Sequence, residues 1–387
     1  MKIVGNRPTK KSMKTAERII PSSHNASRAR LPGALPPGSS LQGLSEGKRL
    51  TKALRLLTFK SFLFLLVMMA LLSSRIRVHA LLWVMAMSIG FYGVRSGVGA
   101  IVTGGGARVW GPPNTMIFDN NHFAVALIVA LPLLNHLRMN SEHKVVRFGL
   151  VAAMGLFLMA ALASYSRGAL LGLGAMGLFL WLKSRQKLVP AVVIALAVVA
   201  GVLFMPQKWL DRMNTISAYR QDASAEDRIG MWRAATQIAL ARPLGAGFKG
   251  PYLQAVMDRY APGTTARAVH SIYFECIGEH GFFVFAVWCV FPIIAWRNGN
   301  WLIRHTRDSP EFRWANDFAR MAQVSSIGYL VGGAFLSLSY WDYYFFIIGI
   351  LAVVREMVAA AEERADLTTS QFELPAGTPG IAPAGGR

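Results

Sequence analysis

The chain has 387 residues, 53% hydrophobic and only 16% charged, with a net charge of +21. Its apolar residues fall in nearly uncharged blocks of about 15–25, close to the ~20 a helix needs to cross hydrocarbon, which excludes an ordinary soluble domain. Backbone amides in lipid must be satisfied within their own segment, so each block is read as a helix.

The basic excess does not point to nucleic acid. Residues 1–60 hold thirteen Lys/Arg against Glu17 and Glu46, so about half of the excess sits in one tail. Most of the rest lies in loops between apolar blocks, where basic residues set membrane topology. The two cysteines, Cys276 and Cys289, share one apolar block and form neither a disulfide framework nor a metal cluster. No metal site, cofactor or nucleic-acid partner is expected.

Residues 1–57 are basic and rich in Ser, Pro and Gly, and are expected to be a disordered cytoplasmic tail. Phe59–Leu72 is apolar but short, either a span or an interfacial segment. Spans are predicted at Val78–Val94, Phe123–Leu137, Val146–Ser164, Gly168–Leu182, Leu188–Met205, Ser271–Trp296, Val324–Ser339 and Tyr343–Val354. The expected fold is an all-α polytopic membrane protein with eight or nine transmembrane helices. The N-terminal helices occupy 58–205, a hydrophilic loop 206–269, the C-terminal helices 270–357, and a disordered tail 358–387.

Short loops set the orientation. Arg138, Lys144 and Arg147 cluster in one, Lys183, Arg185 and Lys187 in a second, and Arg297, Arg304, Arg307, Arg313 and Arg320 in a third. Alternation through the spans places all three, with Arg75 and Arg77, on one side, hence cytoplasmic. Thr103–Asn121, the Tyr165–Arg167 turn, the 206–269 loop and the Trp341–Asp342 turn then face outward. A spanning Phe59–Leu72 would place the basic tail outside, against the charge rule.

The long loop carries nine Lys/Arg and five acids, a surface suited to an anionic ligand at the membrane boundary. Most of these charges read as ordinary solvation. Arg228 stands apart, in a run from Glu226 to Arg233 that looks like a helix start with acids in its first turn. Arg167 lies in the polar turn Ser164–Gly168 between two apolar helices, where it either snorkels or aims its donor fork at a phosphate. Arg95, at the outer end of an early span, has the same two readings. His270 closes the loop and opens a span that also carries Glu275, Glu279 and His280. Ionisable groups there are costly unless they face a polar cavity or a partner. Asp119 reads first as a helix cap, with sugar binding as the alternative. Substrate-binding candidates are therefore Arg95, Arg233, Glu279 and Asp119.

Four runs, MIFDNNHFAVALIVALPLL (116–134), SYSRGALLGL (164–173), EDRIGMWRAATQIALARPLGAGF (226–248) and HSIYFECIGEHG (270–281), occur in this order. Together they resemble the O-antigen ligase and Wzy-type polymerase superfamily, most of all the O-glycosylation ligases associated with exosortase A systems. The resemblance implies a metal-independent GT-C-type helical fold in the bacterial inner membrane, with its site facing the periplasm. It implies transfer of a glycan from an undecaprenyl-pyrophosphate carrier to a hydroxyl on a lipid A core, a protein or a polysaccharide, with inversion. It also implies two essential arginines and a histidine, which by motif fall on Arg167, Arg228 and His270. Competing readings are a Wzy-type polymerase, a transporter for the lipid-linked glycan, and a non-catalytic component of exopolysaccharide export. Members of the family usually begin with several more spans than precede Val78 here.

Overall fold

The apolar blocks fold as helices, and the polar runs between them cap, turn or pack upon those helices. A computed structural model describes residues 59–106, 108–184 and 223–372, with residues 56, 187, 188, 192, 195, 206, 207 and 209 besides. In chain order the helices are α1 (Phe59–Leu71), α2 (Arg75–Val102), α3 (Asn120–Met139), α4 (Lys144–Ala163) and α5 (Arg167–Lys183). After these come α6 (Ala223–Ala241), a 3-10 turn (Gly250–Tyr252), α7 (Gln254–Tyr260), α8 (Ile272–His305), α9 (Arg313–Gly333) and α10 (Asp342–Phe372). The described residues contain no strand. Five of these helices, α2, α3, α4, α8 and α10, are long and apolar enough to cross a membrane. The predicted Leu188–Met205 span and the 1–57 tail fall almost wholly outside the described residues.

α3 is the central helix. Every residue from Phe123 to Leu134 except Leu131 is buried, and α3 packs against α2, α4, α5 and α9. A helix apolar on all sides belongs in the middle of a bundle. Close approach elsewhere relies on small residues. A Cβ on Gly172 of α5 would stand 3.2 Å from the Gly328 carbonyl oxygen of α9, the kind of contact that lets membrane helices pack tightly without a hydrophobic driving force.

Side-chain contacts sort the helix ends into two groups. At one end, Asn120 donates to the Ser164 carbonyl (2.7 Å), joining the start of α3 to the end of α4, and Tyr165 donates to the Gly105 carbonyl just past α2. At the other, the His79 ring lies 5.4 Å from both His136 and Trp314, joining the start of α2, the end of α3 and the start of α9. There Asn316 also donates to Thr306 and Arg75 stands over Trp314. The basic loop residues Arg75, Arg138, Lys144 and Arg313 gather at this second end, in accord with the alternation read from the sequence.

One segment carries two expectations, and two others differ from theirs. α1 does not lie across the bundle: Phe62 meets Phe345 and Phe64 meets Phe346, while Leu65 and Met68 crowd Gly349. The matched order of contacts makes α1 run alongside α10 in the same direction, starting at the end where α3 also begins. α9 is shifted from Val324–Ser339 to Arg313–Gly333. Its polar first half is helical because Asn316 and Gln323 find partners on α8, and the apolar-looking run after Gly332-Gly333 leaves the helix. α10 continues to Phe372, so the tail expected from 358 is helical over its first part. Ala359 to Ala361 and the mixed charges from Glu362 to Arg364 are good helix formers.

The strongest local constraint is a break in α8. Gly281 adopts φ 75°, ψ 179° inside the helix, a region essentially reserved for glycine. The break releases the carbonyls of Gly278 and Glu279, and the amides of Ala246 (3.0 Å) and Gly247 (2.7 Å) take them. A Cβ on Gly281 would collide with the Pro243 carbonyl. Gly281→Ala is therefore expected to cost at least about 2 kcal/mol, from backbone strain and displacement of the 243–247 segment. It should lower the thermal unfolding midpoint of the purified protein in detergent by several degrees. Gly174→Ala, on α5 where a Cβ meets nothing within 4 Å, should leave the midpoint unchanged or raise it slightly.

Candidate functional site

Residues 243–249, clamped on the broken helix, place the next groups. Lys249 sits at φ 57° and its amide donates to Glu279 Oε1 (2.9 Å). Its ammonium lies 3.3 Å from Glu275 Oε1, with the Tyr252 hydroxyl 3.2 Å away. Glu275 Oε2 accepts from both the amide (3.2 Å) and the hydroxyl (2.7 Å) of Ser339. The two buried carboxylates, four residues apart on one face of α8, thus tie three segments together: the 243–252 loop, α8 and the 334–341 connection. Burial by itself would lower the Lys249 ammonium, but the charges facing it, Glu275 foremost, outweigh that and hold it well above the ordinary lysine value. The same burial, reinforced by Glu275, pushes the Tyr252 phenol up.

The rest of the long loop packs as a small helical unit with its own core. Met231, Ala234, Ala235 and Ile238 of α6 meet Met257, Ala261 and Val269, with Trp232 and Phe274 against them. Trp232 anchors α6 to the start of α8: its indole donates to the Val269 carbonyl (3.0 Å) and stacks on Phe274 at 5.1 Å. Arg267 pairs with Asp227 across the same junction. One turn before Trp232, Arg228 is half-buried.

His270 adopts φ 52°, an uncommon conformation for a non-glycine residue and one that clusters at functional sites. Its amide donates to Ser337 Oγ (3.0 Å). Among the described residues its buried Nδ1 has no hydrogen-bond partner, although such a group normally finds one. Burial, then the Arg228 charge and then His122, push the imidazole down to about 4. His270 is therefore neutral at pH 7 and able to accept a proton.

Arg167 begins α5, whose N-cap Ser166 accepts from the Ala169 amide (3.3 Å). The adjoining Gly168 packs on Gly332 and Phe335, and Phe335 in turn faces Trp232. Arg167, Arg228 and His270, more than a hundred residues apart at the extremes, therefore come to the same end of the bundle.

At this end lies a cavity of about 490 Å³. One wall is apolar, made by Phe62 and Leu65 of α1 with Phe345 and Phe346 of α10; the polar side presents His122, Lys249, Tyr252, Glu275, Glu279 and Ser337. None of Arg167, Arg228 and His270 lines it. His270 adjoins it through Ser337 and through Ala268, which is in the wall. Asp119 caps α3, accepting from the Asn121 amide (2.9 Å) and from the His122 ring (3.1 Å). Burial would raise its carboxyl, but His122 and the Asn121 donors prevail and hold it well below the usual range. It reaches the cavity only through His122. Arg95 lies exposed on α2 and Arg233 exposed on α6, opposite the face buried in the small core, and neither is brought to the cavity. Among the described residues, no three His, Cys, Asp or Glu side chains are grouped to hold a metal ion.

Several site groups were not picked out from the sequence. Ser337 and Ser339 lie in a run read as helix, and Tyr340 directly follows it. Lys249 looked like one loop charge among nine, although the Gly250-Pro251 that follows it marks a tight turn. His122 was hidden in an apolar helix start.

Residues 152–289 match the family model described as O-antigen ligase. Residues 52–142 match a second model, described as a family of unknown function. No curated protein and no solved structure matches the chain. Arg167, Arg228 and His270 all fall inside the first match. The stretch from α4 into α8, which holds the clamp and these three residues, is thus similar to the O-antigen ligase family and supports a ligase- or polymerase-type function in a multi-pass membrane protein.

Proposed function

We propose that the chain is a membrane glycosyltransferase that moves a glycan en bloc from an undecaprenyl-pyrophosphate carrier to an acceptor hydroxyl, acting as an O-glycosylation or O-antigen ligase of the exosortase-associated kind. The observation that carries this reading is His270 itself, strained at φ 52°, with its buried Nδ1 unbonded among the described residues and its protonated form disfavoured by burial and by the Arg228 charge. In the reaction, the acceptor oxygen attacks the anomeric carbon and its proton passes to His270. The bond from that carbon to the diphosphate oxygen breaks, and the carrier leaves as an anion. Arg228 and Arg167 stabilise that growing charge in a partly dehydrated site, where oriented donors are most effective. Displacement in one step inverts the anomeric centre. Lys249 is held by two carboxylates and serves to shape the cavity rather than to neutralise the leaving group.

The site end is read as periplasmic because the basic loops gather at the opposite end. In that orientation α1 begins on the periplasmic side, opposite to the side expected for the basic tail. A Wzy-type polymerase shares the donor chemistry and differs in its acceptor.

The test is transfer from a purified lipid-linked glycan to candidate acceptors. His270→Ala is expected to slow transfer by about 10²–10⁴, the usual worth of a general base. Arg228→Gln and Arg167→Gln should each slow it by about 10²–10³, as for loss of a charge-stabilising donor. Wild-type rates in all three variants would remove these residues from the mechanism.

The pH profile tests His270 separately. Because burial and Arg228 disfavour its charged form, the base stays competent as pH falls through 6.5, and the acid limb of kcat/KM should lie near 4. Arg228→Gln removes a neighbouring positive charge and should move that limb upward, towards 6.5. An acid limb at or above 6.5 in the unmodified protein would contradict this assignment.

A further inference from the structure

At the end of the bundle opposite the site, α8 and α10 part around a second cavity of about 450 Å³. Among the described residues its ionisable lining is basic: Arg297 and Arg304 from α8 and Arg355 from α10, with Asn298, Asn300 and Trp301 between them. Among the described residues none of the three arginines pairs with a carboxylate.

These side chains are arranged rather than merely present. Arg355 donates from Nη1 to Oδ1 of the buried Asn298 (3.2 Å), and its guanidinium stands 5.4 Å over the Trp301 ring. One cation is thus held in place with further donors left to spare, and a planar donor fork is well matched to phosphate oxygens. Arg297 and Arg304, both exposed, lie two turns apart on the α8 face that carries Trp301.

The same face continues toward the membrane interior as Ile294, which also lines the cavity, and then as Val290 and Val287. All three are 44–46% exposed. The spacing 287, 290, 294, 297, 301, 304 keeps one side of the helix. An exposed apolar stripe therefore runs directly into a cluster of guanidiniums, with the polarity sequence of a phospholipid: acyl chain first, phosphate second.

We propose that this cavity is a binding site for an anionic phospholipid, its headgroup phosphate held by Arg355, Arg297 and Arg304 and an acyl chain laid along Val287 to Ile294. Basic pockets between membrane helices at the positively charged end recognise such headgroups. A free phosphate would satisfy the arginines but leave the apolar stripe unused. The proposal is independent of the transfer reaction.

The full-length protein, purified in a neutral detergent, is titrated with phosphatidylglycerol, phosphatidylcholine or inorganic phosphate, and binding is read by native mass spectrometry and by the thermal unfolding midpoint. Phosphatidylglycerol should bind and raise the midpoint by mass action, whereas phosphatidylcholine and inorganic phosphate should do neither. Arg304→Gln, an exposed position with little bearing on folding, should weaken phosphatidylglycerol about tenfold, the scale of one charge-assisted contact. Arg355→Gln should weaken it further, and Arg138→Gln, at the same end but outside the cavity, should leave it unchanged. Equal binding of the two lipids, retention of full affinity in Arg304→Gln and Arg355→Gln, or competition by inorganic phosphate would each overturn the proposal.

Discussion

The arrangement of the site depends on how the break at Gly281 is satisfied. Two carbonyls freed inside an apolar bundle cannot be left without donors, and the Ala246 and Gly247 amides supply them. This pins the end of the long loop to α8 and sets Lys249 against Glu275 and Glu279. Glu275 then holds Ser339, and Ser337 in the same connection takes the His270 amide. From one helix break the chain of contacts leads to the residue proposed to move the proton. The two carboxylates accordingly work as organisers: both Glu275 oxygens and Glu279 Oε1 bond to the protein itself, and breaking the Lys249 pair would leave buried charge uncompensated, a strongly unfavourable change.

Much of this was legible from residue type and order. The apolar blocks located the helices, the basic loops predicted which ends lie together, and the Ser-Arg-Gly turn, the Arg before Trp and the His-Ser pair, taken with the family resemblance, made Arg167, Arg228 and His270 the candidates. Each is a local signal. What escaped was set by distant partners. The 334–341 connection is apolar enough to read as helix as far as Ser339, yet its hydroxyls are used by Glu275 and His270, which lie more than sixty residues away. The polar first half of α9 looked unlike a buried helix because its partners, Asn300 and Thr306, are on another element. The direction of α1 depends on its pairing with α10, near the far end of the chain, which no local pattern encodes. Arg95 and Arg233 both lie exposed and outside the cavity lining, a placement that their neighbours in the chain do not indicate.

Helix α8 carries both ends of the account. Before Gly281 it presents Glu275 and Glu279 to the site cavity, and after it a membrane-facing apolar stripe leads to Arg297 and Arg304. Placing the two on one element allows α8 to position a reactive centre at one boundary and engage lipid at the other. α10 repeats the pattern, with Phe345 and Phe346 in the wall of the site cavity and Arg355 in the basic one.

The central claim is that the clamped loop brings Arg228 and His270 into a single working site, and a double-mutant cycle on transfer rate measures that coupling directly. If the two residues act on one transition state, the Arg228→Gln, His270→Ala double variant should be little slower than the slower single variant, as for groups that act as a unit. Losses that simply multiply would show two independent effects and contradict the account.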